Sequence, residues 1–255
     1  MKLGLIADKT EIAHDSYIKL TENYSFIEDE QQLSTVDYIV ILGGDGFMLH
    51  SLHKFMDLNI PFYGMNCGTI GFLLNEFSGD SLNDRIQDAK VAKISPLSMK
   101  AIDTKGQTHE ALAFNEVSLL RETRQSTNIE IQIDGKTKIT SLVGDGILVA
   151  TPAGSSAYNF SVRGPIIPLG DDLLALTPIS PFRPRGWRGA LLPGKTEVNF
   201  IVHSSHKRPV SAVADFFEFR DVKEVMVKRH REKNVTLLFD HANPLEDKLI
   251  TEQFL

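Results

Sequence analysis

Residues 36–46 read Val36-Asp37-Tyr38-Ile39-Val40-Ile41-Leu42-Gly43-Gly44-Asp45-Gly46. From Tyr38 to Leu42 the side chains are apolar or aromatic at every position. That suits a strand buried on both faces rather than one with a wet side. The run stops at three glycines and an aspartate. Phe47, Leu49, Leu52, Phe55 and Met56 then fall at helical spacing, so a helix is expected over 47–58. A buried strand, a glycine turn and an amphipathic helix form the start of a parallel βαβ unit.

The flanking segments extend that pattern. Leu3–Ala7 reads as a strand and Lys9–Thr21 as a helix. Ile60–Met65 reads as a further strand, followed by a glycine-bearing loop over Asn66–Gly71 and a helix over Ser81–Val91 capped by Ser or Asp. After about residue 94 the texture changes. Strands are expected at Leu97–Asp103, Glu110–Leu120, Ile129–Ile133, Ile139–Val143, Val198–Val202, Val210–Ala214, Lys223–Val227 and Val235–Phe239, with Asp134-Gly135 as a hairpin turn. The expected organisation is an α/β domain over 1–95, an all-β domain over 96–240 and a C-terminal tail over 241–255.

The 255 residues are 42% hydrophobic and 24% charged, which is ordinary for a globular chain and excludes collagen-like or wholly disordered classes. A net charge of −6 argues against nucleic acid or an anionic membrane as the main partner. The lone Cys67 allows neither an intramolecular disulfide nor a cysteine zinc site. No run approaches a membrane span, and Met1–Thr10 meets charge too early for a signal peptide, so a cytoplasmic protein is expected.

Gly43-Gly44-Asp45-Gly46 carries the first chemical signal. Glycines let phosphate approach the backbone and permit positive φ, and the helix that follows points N–H groups at an anion. Asp45 repels phosphate, which suggests a magnesium contact or a general base. The alternative is a tight turn with an aspartate cap. A second acid-glycine element opens the stretch from Gly144-Asp145-Gly146 to Thr151-Pro152-Ala153-Gly154-Ser155-Ser156-Ala157-Tyr158. Its hydroxyls and backbone suit a polar ligand and Tyr158 offers a flat face to a base, or else it is a Gly/Ser turn with a core tyrosine. Asn115-Glu116 interrupts an apolar strand, where a ribose would satisfy the carboxylate; the alternative is a strand end facing water.

Other patterns carry less. Gly189 to Thr196 matches the phosphate-loop letters G-x-x-x-x-G-K-[ST], but strand-like Glu197–Val202 follows where a helix is needed. No G-x-G-x-x-G fingerprint and no H-E-x-x-H spacing occur. Arg183, Arg185 and Arg188 beside Trp187 form an arginine-rich loop whose role stays open between a phosphate, another subunit and plain surface.

Five elements in order, Gly43–Gly46, Asn66–Leu73 (N-C-G-T-I-G-F-L), Asn115-Glu116, Gly144–Tyr158 and Leu176–Ser180, resemble the bacterial ATP-dependent NAD kinases. The first element alone is shared with diacylglycerol and sphingosine kinases and with phosphofructokinases; the long central one is the specific one. The resemblance implies an N-terminal α/β domain, a mostly-β C-terminal domain and a site between them. It implies transfer of the ATP γ-phosphoryl to the adenosine-ribose 2′-hydroxyl of NAD, with Mg2+ or another divalent metal.

On the matching positions it implies that Asp45 is the general base and that Gly43, Gly44, Gly46 and Asp215 serve the ATP phosphates. Gly46 would also border the NAD side. Phe72 would line the adenine pocket, while Asn115 and Glu116 would hold adenine and ribose. Asp145 would reach the nicotinamide carboxamide. Ala153, Ser156, Ala157, Tyr158 and Ser161 would contact the NAD base, and Ser180 and Phe182 would form a pocket wall, often lent by a neighbouring subunit. A homodimer or homotetramer is implied. Departures from the family pattern are Phe47 in place of Thr, Val143 in place of a charged residue, and Phe216 in place of Gly or His. Two competing expectations are a lipid kinase of the diacylglycerol-kinase type and a catalytically silent sensor that binds NAD or NADP.

Overall fold

The computed structural model describes residues 1–68 and 71–241. Thr69, Ile70 and the expected tail beyond His241 lie outside the described residues. The chain divides into two compact units, one made of 1–94 with 233 onward and the other of Ser95–Glu232.

The first unit is a mainly parallel sheet with helices on its faces. Its strands are β1 (Leu3–Ala7), β2 (Phe26–Ile27), β3 (Tyr38–Gly43), β4 (Phe62–Asn66), β5 (Asn75–Glu76) and β6 (Lys90–Ile94). Its helices are α1 (Glu11–Thr21), α2 (Asp45–Phe55) and α3 (Leu82–Gln87). In β3, residues Ile39 to Leu42 are all fully buried, as expected of a central strand. Val40 and Leu42 pack with Leu3, Leu5, Tyr63 and Met65 against Ala13 and Leu20 of α1 and Leu82 and Ile86 of α3. Ile39 and Ile41 point the other way by the period of two, and α2 contacts β3 with Met48, Leu52 and Phe55 buried.

Two sequence expectations are corrected here. The helix expected over 81–91 covers only Leu82–Gln87, because Lys90–Ile94 is drawn into the sheet edge as β6. Ser81 does not cap it with its side chain; it stands at φ +51, and the first helical N–H, that of Leu82, donates to the Tyr24 hydroxyl.

The larger correction concerns Val235–Phe239, which the sequence places in the β domain. This last strand inserts into the first unit's sheet between β4 and β6, in the order β2-β1-β3-β4, then Val235–Phe239, then β6. Val235, Leu237, Leu238 and Phe239 are all buried there. Residues on both faces need apolar cover, which a slot inside an α/β sheet provides. A polar cluster fixes the strand's exit. Tyr63 Oη donates to Asp240 at 2.7 Å, Arg85 pairs with the other Asp240 oxygen, and Asn75 Nδ2 donates to the Leu238 and Gly64 carbonyls.

The second unit holds two antiparallel six-stranded sheets. One contains β7 (Leu97–Asp103), β8 (Thr108–Ala113), β10 (Thr127–Ile133), β11 (Lys136–Gly144), β15 (Val198–Val202) and β18 (Val222–Arg229). The other contains β9 (Glu116–Arg121), β12 (Gly146–Ala150), β13 (Leu173–Ile179), β14 (Ala190–Pro193), β16 (Val210–Ala214) and β17 (Phe217–Phe219). Met99, Ile129, Phe200 and Val225 of the first interlock with Val117, Leu119, Ile147, Val149 and Ala212 of the second. The strand expected over Glu110–Leu120 is two strands, β8 and β9, which belong to different sheets. The break between them falls at Phe114-Asn115. With β19 (Val235–Phe239) counted in the first unit, the second is β throughout except for short helical turns.

Candidate active site

In the first unit the chemistry gathers where β3 hands over to α2. Gly44 is the helix N-cap and Asp45 its first residue, so the carboxylate stands at the positive end of an eleven-residue helix. No side chain caps the helix, so Asp45 is not the cap that the simpler reading allowed. Its Oδ2 accepts from Phe72 N–H at 2.8 Å and its Oδ1 from Leu73 N–H at 3.0 Å. The glycine turn and the Phe72 loop, far apart in sequence, are therefore one structure.

The glycines of this turn differ in purpose. A Cβ on Gly43 would meet the Phe47 ring at 2.7 Å, so Gly43 serves packing. Gly44 and Gly46 would meet nothing within 4 Å. Neither has a positive φ, so the conformational reason expected from sequence does not apply. The fold does not require glycine at either position. What they provide is open space beside the backbone at a helix N-terminus, the arrangement that suits an anion. Cys67 beside this turn donates its backbone N–H to Gly43 O; its thiol is buried, and burial raises the thiol pKa.

In the second unit the residues form one connected network. Asp215 adopts φ +53 and turns its carboxylate onto three successive backbone N–H groups, those of Phe114 (2.7 Å), Asn115 (3.0 Å) and Glu116 (3.3 Å). From the other side Thr151 N–H donates to Asn115 O at 2.9 Å, and Thr151 Oγ1 donates to Phe114 O at 2.6 Å. Gly154 lies so close that a Cβ there would overlap the Asn115 carbonyl. Phe114-Asn115 is thus a clamped bend into β9, whose first residue Glu116 is half-buried rather than facing water.

Glu116 is the electrostatic outlier of the site. Its Oε2 is buried and has no hydrogen-bond partner. Burial first, and the charge of Asp215 second, push its pKa up to about 8. Tyr158 is raised by burial and then by the charges of Glu116 and Asp145, which brings these three expected site residues into one electrostatic neighbourhood. Asp145 is held by Arg121, whose Nε donates to Oδ1 at 2.6 Å. The flanking glycines are there for backbone approach: a Cβ on Gly146 would overlap Leu119 O, and one on Gly144 would sit 3.0 Å from Ile179 O and Ser180 O.

The stretch from Ala153 to Ser161 is a 3-10 turn over Ala153–Ser156 and a single helical turn, α4 (Tyr158–Ser161). Ala153 is buried, Ser156, Ala157 and Tyr158 are partly covered, and Ser161 is exposed. Two hydroxyls that the sequence offered to a ligand turn inward instead. Ser155 Oγ donates to Pro152 O and accepts from Ile167 N–H, and Thr151 is 2% exposed. Asn159, which sequence reasoning missed, is fully buried and ties Ser155 O, Pro165 O and the Thr177 hydroxyl together. The signal was an amide in an otherwise small and apolar stretch.

Ser180 has φ +46 and follows the end of β13 beside Asp145, whose N–H donates to Ile179 O at 2.9 Å. Phe182 is 56% exposed, with Arg183 and Arg185 over its ring at 5.6 and 5.8 Å. Trp187 packs against the sandwich core. Lys195 lies in the turn between β14 and β15, and no helix follows, so the phosphate-loop letters have no phosphate-loop structure.

Among the described residues no helix is long and apolar enough to cross a membrane. The chain matches the ATP-NAD kinase N-terminal domain over residues 7–87 and the ATP-NAD kinase C-terminal domain over 114–215. It is 56% identical over 216 residues to an NAD kinase of Caulobacter vibrioides, covering 85% of this chain and 83% of that one. It is 48% identical to an NAD kinase of Rhizorhabdus wittichii, covering 99% and 98%. A crystal structure of yeast NADH kinase complexed with NADH superposes with a TM-score of 0.79 at 22% identity, covering 100% of this chain and 87% of that chain. An NAD kinase from Archaeoglobus fulgidus in complex with ATP gives 0.75 at 22% identity, covering 100% and 97%. With both domain models matched in order and such relatives along nearly its whole length, the chain belongs to the ATP-NAD kinase family and catalyses the ATP-dependent phosphorylation of NAD to NADP.

Proposed function

We propose that Asp45 is the general base that takes the proton from the 2′-hydroxyl of the adenosine ribose as that oxygen attacks the γ-phosphorus of ATP. The observation that carries this is the double anchoring of its carboxylate by Phe72 and Leu73 N–H at the head of α2. Phosphoryl transfer depends on positioning and charge neutralisation, and a carboxylate fixed through both oxygens keeps its remaining lone pairs in constant directions. The oxygen–hydrogen bond of the ribose breaks, a phosphorus–oxygen bond forms, and ADP leaves with the electron pair of the cleaved bond.

Gly44 and Gly46 leave the backbone open to the ATP phosphates, while Gly43 supports them through Phe47. Phe72, half-buried and bonded to Asp45, is placed to line the adenine pocket. Asn115 and Glu116 take adenine and ribose, with the unpartnered Glu116 Oε2 as a hydroxyl's acceptor. Asp145 takes the nicotinamide carboxamide, and Ala153, Ser156, Ala157, Tyr158 and Ser161 border the NAD base. The yeast NADH kinase complexed with NADH and the Archaeoglobus NAD kinase in complex with ATP support both ligand classes. Asp215 serves the phosphates at second hand, since its carboxylate already accepts three backbone N–H groups.

Among the described residues no three His, Cys, Asp or Glu side chains group to hold a metal. Mg2+ keeps waters and phosphate oxygens as ligands and needs few carboxylates. When bound it would neutralise phosphate charge, with Asp45 the nearest acid in sequence to the glycine turn. Ser180 and Phe182 complete the pocket wall in a homodimer or homotetramer, where the exposed Phe182 ring would be covered. A cytoplasmic location accords with this substrate pair. An assay of NADP formation from NAD, ATP and Mg2+, with wild type and Asp45→Asn compared, tests the assignment.

A further inference from the structure

Thr151 belongs to the long central motif, and its hydroxyl looks from sequence like a ligand contact. In the structure it is 2% exposed and touches no open surface. Its hydroxyl and its backbone N–H are spent joining two parts of the site. Its Oγ1 donates to Phe114 O at 2.6 Å, its N–H donates to Asn115 O at 2.9 Å, and its Oγ1 accepts from Gly154 N–H at 3.0 Å. The first two bonds hold the Asn115-Glu116 turn. The third holds the start of the Ala153–Ser156 turn that leads to Tyr158.

We propose that Thr151 is a positioning residue for NAD: its hydroxyl sets the distance between the Asn115-Glu116 turn and the Ala153–Tyr158 turn. The inference rests on the assignment of those turns to NAD. Three features make the position demanding. The hydroxyl acts as donor and acceptor at once, a pairing that only Ser or Thr provides at this size. Gly154 leaves no slack, because a Cβ there would overlap the Asn115 carbonyl. On the opposite side the turn is fixed by Asp215 through the Phe114, Asn115 and Glu116 N–H groups. With that side fixed, loss of the Thr151 bonds would free only the edge that faces Gly154. Phe114 O and Gly154 N–H would then each lose the Thr151 hydroxyl, and the turn would shift to replace those bonds.

The test compares Thr151→Val, which keeps the shape and removes the hydroxyl, with Thr151→Ala and the conservative Thr151→Ser. KM for NAD, KM for ATP, kcat and thermal midpoint are measured on each, with Asn115→Ala alongside. The proposal expects Thr151→Val and Thr151→Ala to raise KM for NAD about tenfold, equivalent to ~1.4 kcal/mol. KM for ATP should stay within about twofold, a factor worth less than ~0.5 kcal/mol, and Thr151→Ser should restore wild-type values. The proposal is overturned if the hydroxyl-free variants keep their KM for NAD while Asn115→Ala loses it. It is also overturned if NAD and ATP constants change together, if Thr151→Ser does not rescue, or if neither hydroxyl-free variant folds, since the hydroxyl would then serve the fold. If Asn115→Ala itself leaves KM for NAD unchanged, the assignment of the turn to NAD falls, and the Thr151 proposal with it.

Discussion

Asp215 and Glu116 are hydrogen-bonded in both directions: Asp215 N–H donates to Glu116 O at 3.2 Å, and Glu116 N–H donates to the Asp215 carboxylate at 3.3 Å. The arrangement fixes the turn that carries Glu116 and holds two acids close together. Asp215 is compensated by three backbone N–H groups, whereas Glu116 Oε2 is buried without a partner. The strain of that juxtaposition falls on Glu116.

Its consequence is a pH dependence of stability. Burial and the Asp215 charge raise the Glu116 carboxyl from 4.5 to about 8 in the folded chain. Between those values the native state keeps a proton that the unfolded state has released, so this group's contribution to stability falls as pH rises. Glu116→Gln removes the titration. Thermal midpoints measured across the window from 4.5 to about 8 should fall more steeply in wild type than in Glu116→Gln. Parallel curves would show that Glu116 ionises normally.

The glycines separate by the space around them. Gly44→Ala and Gly46→Ala add a Cβ that meets nothing within 4 Å, and Gly46 lies inside α2. Both variants should fold, with Gly46→Ala more stable by up to about 1 kcal/mol from helix propensity. Both should lose at least about tenfold in kcat/KM for ATP, or ~1.4 kcal/mol of transition-state stabilisation. Gly146→Ala, whose Cβ would overlap Leu119 O, should instead fail in the fold, by several kcal/mol of overpacking and strand displacement. Urea unfolding and steady-state kinetics distinguish the two kinds of loss.

Lys195→Ala should leave turnover within about twofold, less than ~0.5 kcal/mol in the barrier. The residue sits in a β14-to-β15 turn with no helix after it. An inactive variant that no longer binds ATP would contradict the assignment of the phosphates to the Gly43–Gly46 turn.

Much of the first unit was legible because its signals are local. Tyr38–Leu42, the glycine turn and the helix after it are contiguous, and each uses its own periodicity. Strand β19 was not legible in its placement, because an apolar strand pattern says nothing about which sheet will admit it. Its partners are β4 and β6, over 140 positions earlier, and the Asp240 cluster that fixes its end is equally distant. The site shows the same division. Residue types pointed to Asp45, Asn115, Glu116, Asp145 and Tyr158. The supports of those residues, Asp215 beneath the Asn115 turn, Arg121 on Asp145 and Asn159 under the Tyr158 turn, work through backbone groups and long-range pairs that no motif spacing reveals. Thr151 and Ser155 were legible as polar and misleading as to direction, since both hydroxyls turn into the protein.

The central claim is the role of Asp45. Asparagine there keeps one acceptor but turns an amide toward a backbone N–H, which should lower stability by about 1–3 kcal/mol. The chain should still fold. The direct measurement is NADP formation from NAD, ATP and Mg2+ by wild type and Asp45→Asn, with NAD binding titrated on both. The account predicts NADP from wild type, NAD affinity in the variant within a few-fold of wild type, and kcat lower by at least about a hundredfold, as expected for loss of a general base. Turnover by Asp45→Asn close to that of wild type would contradict it.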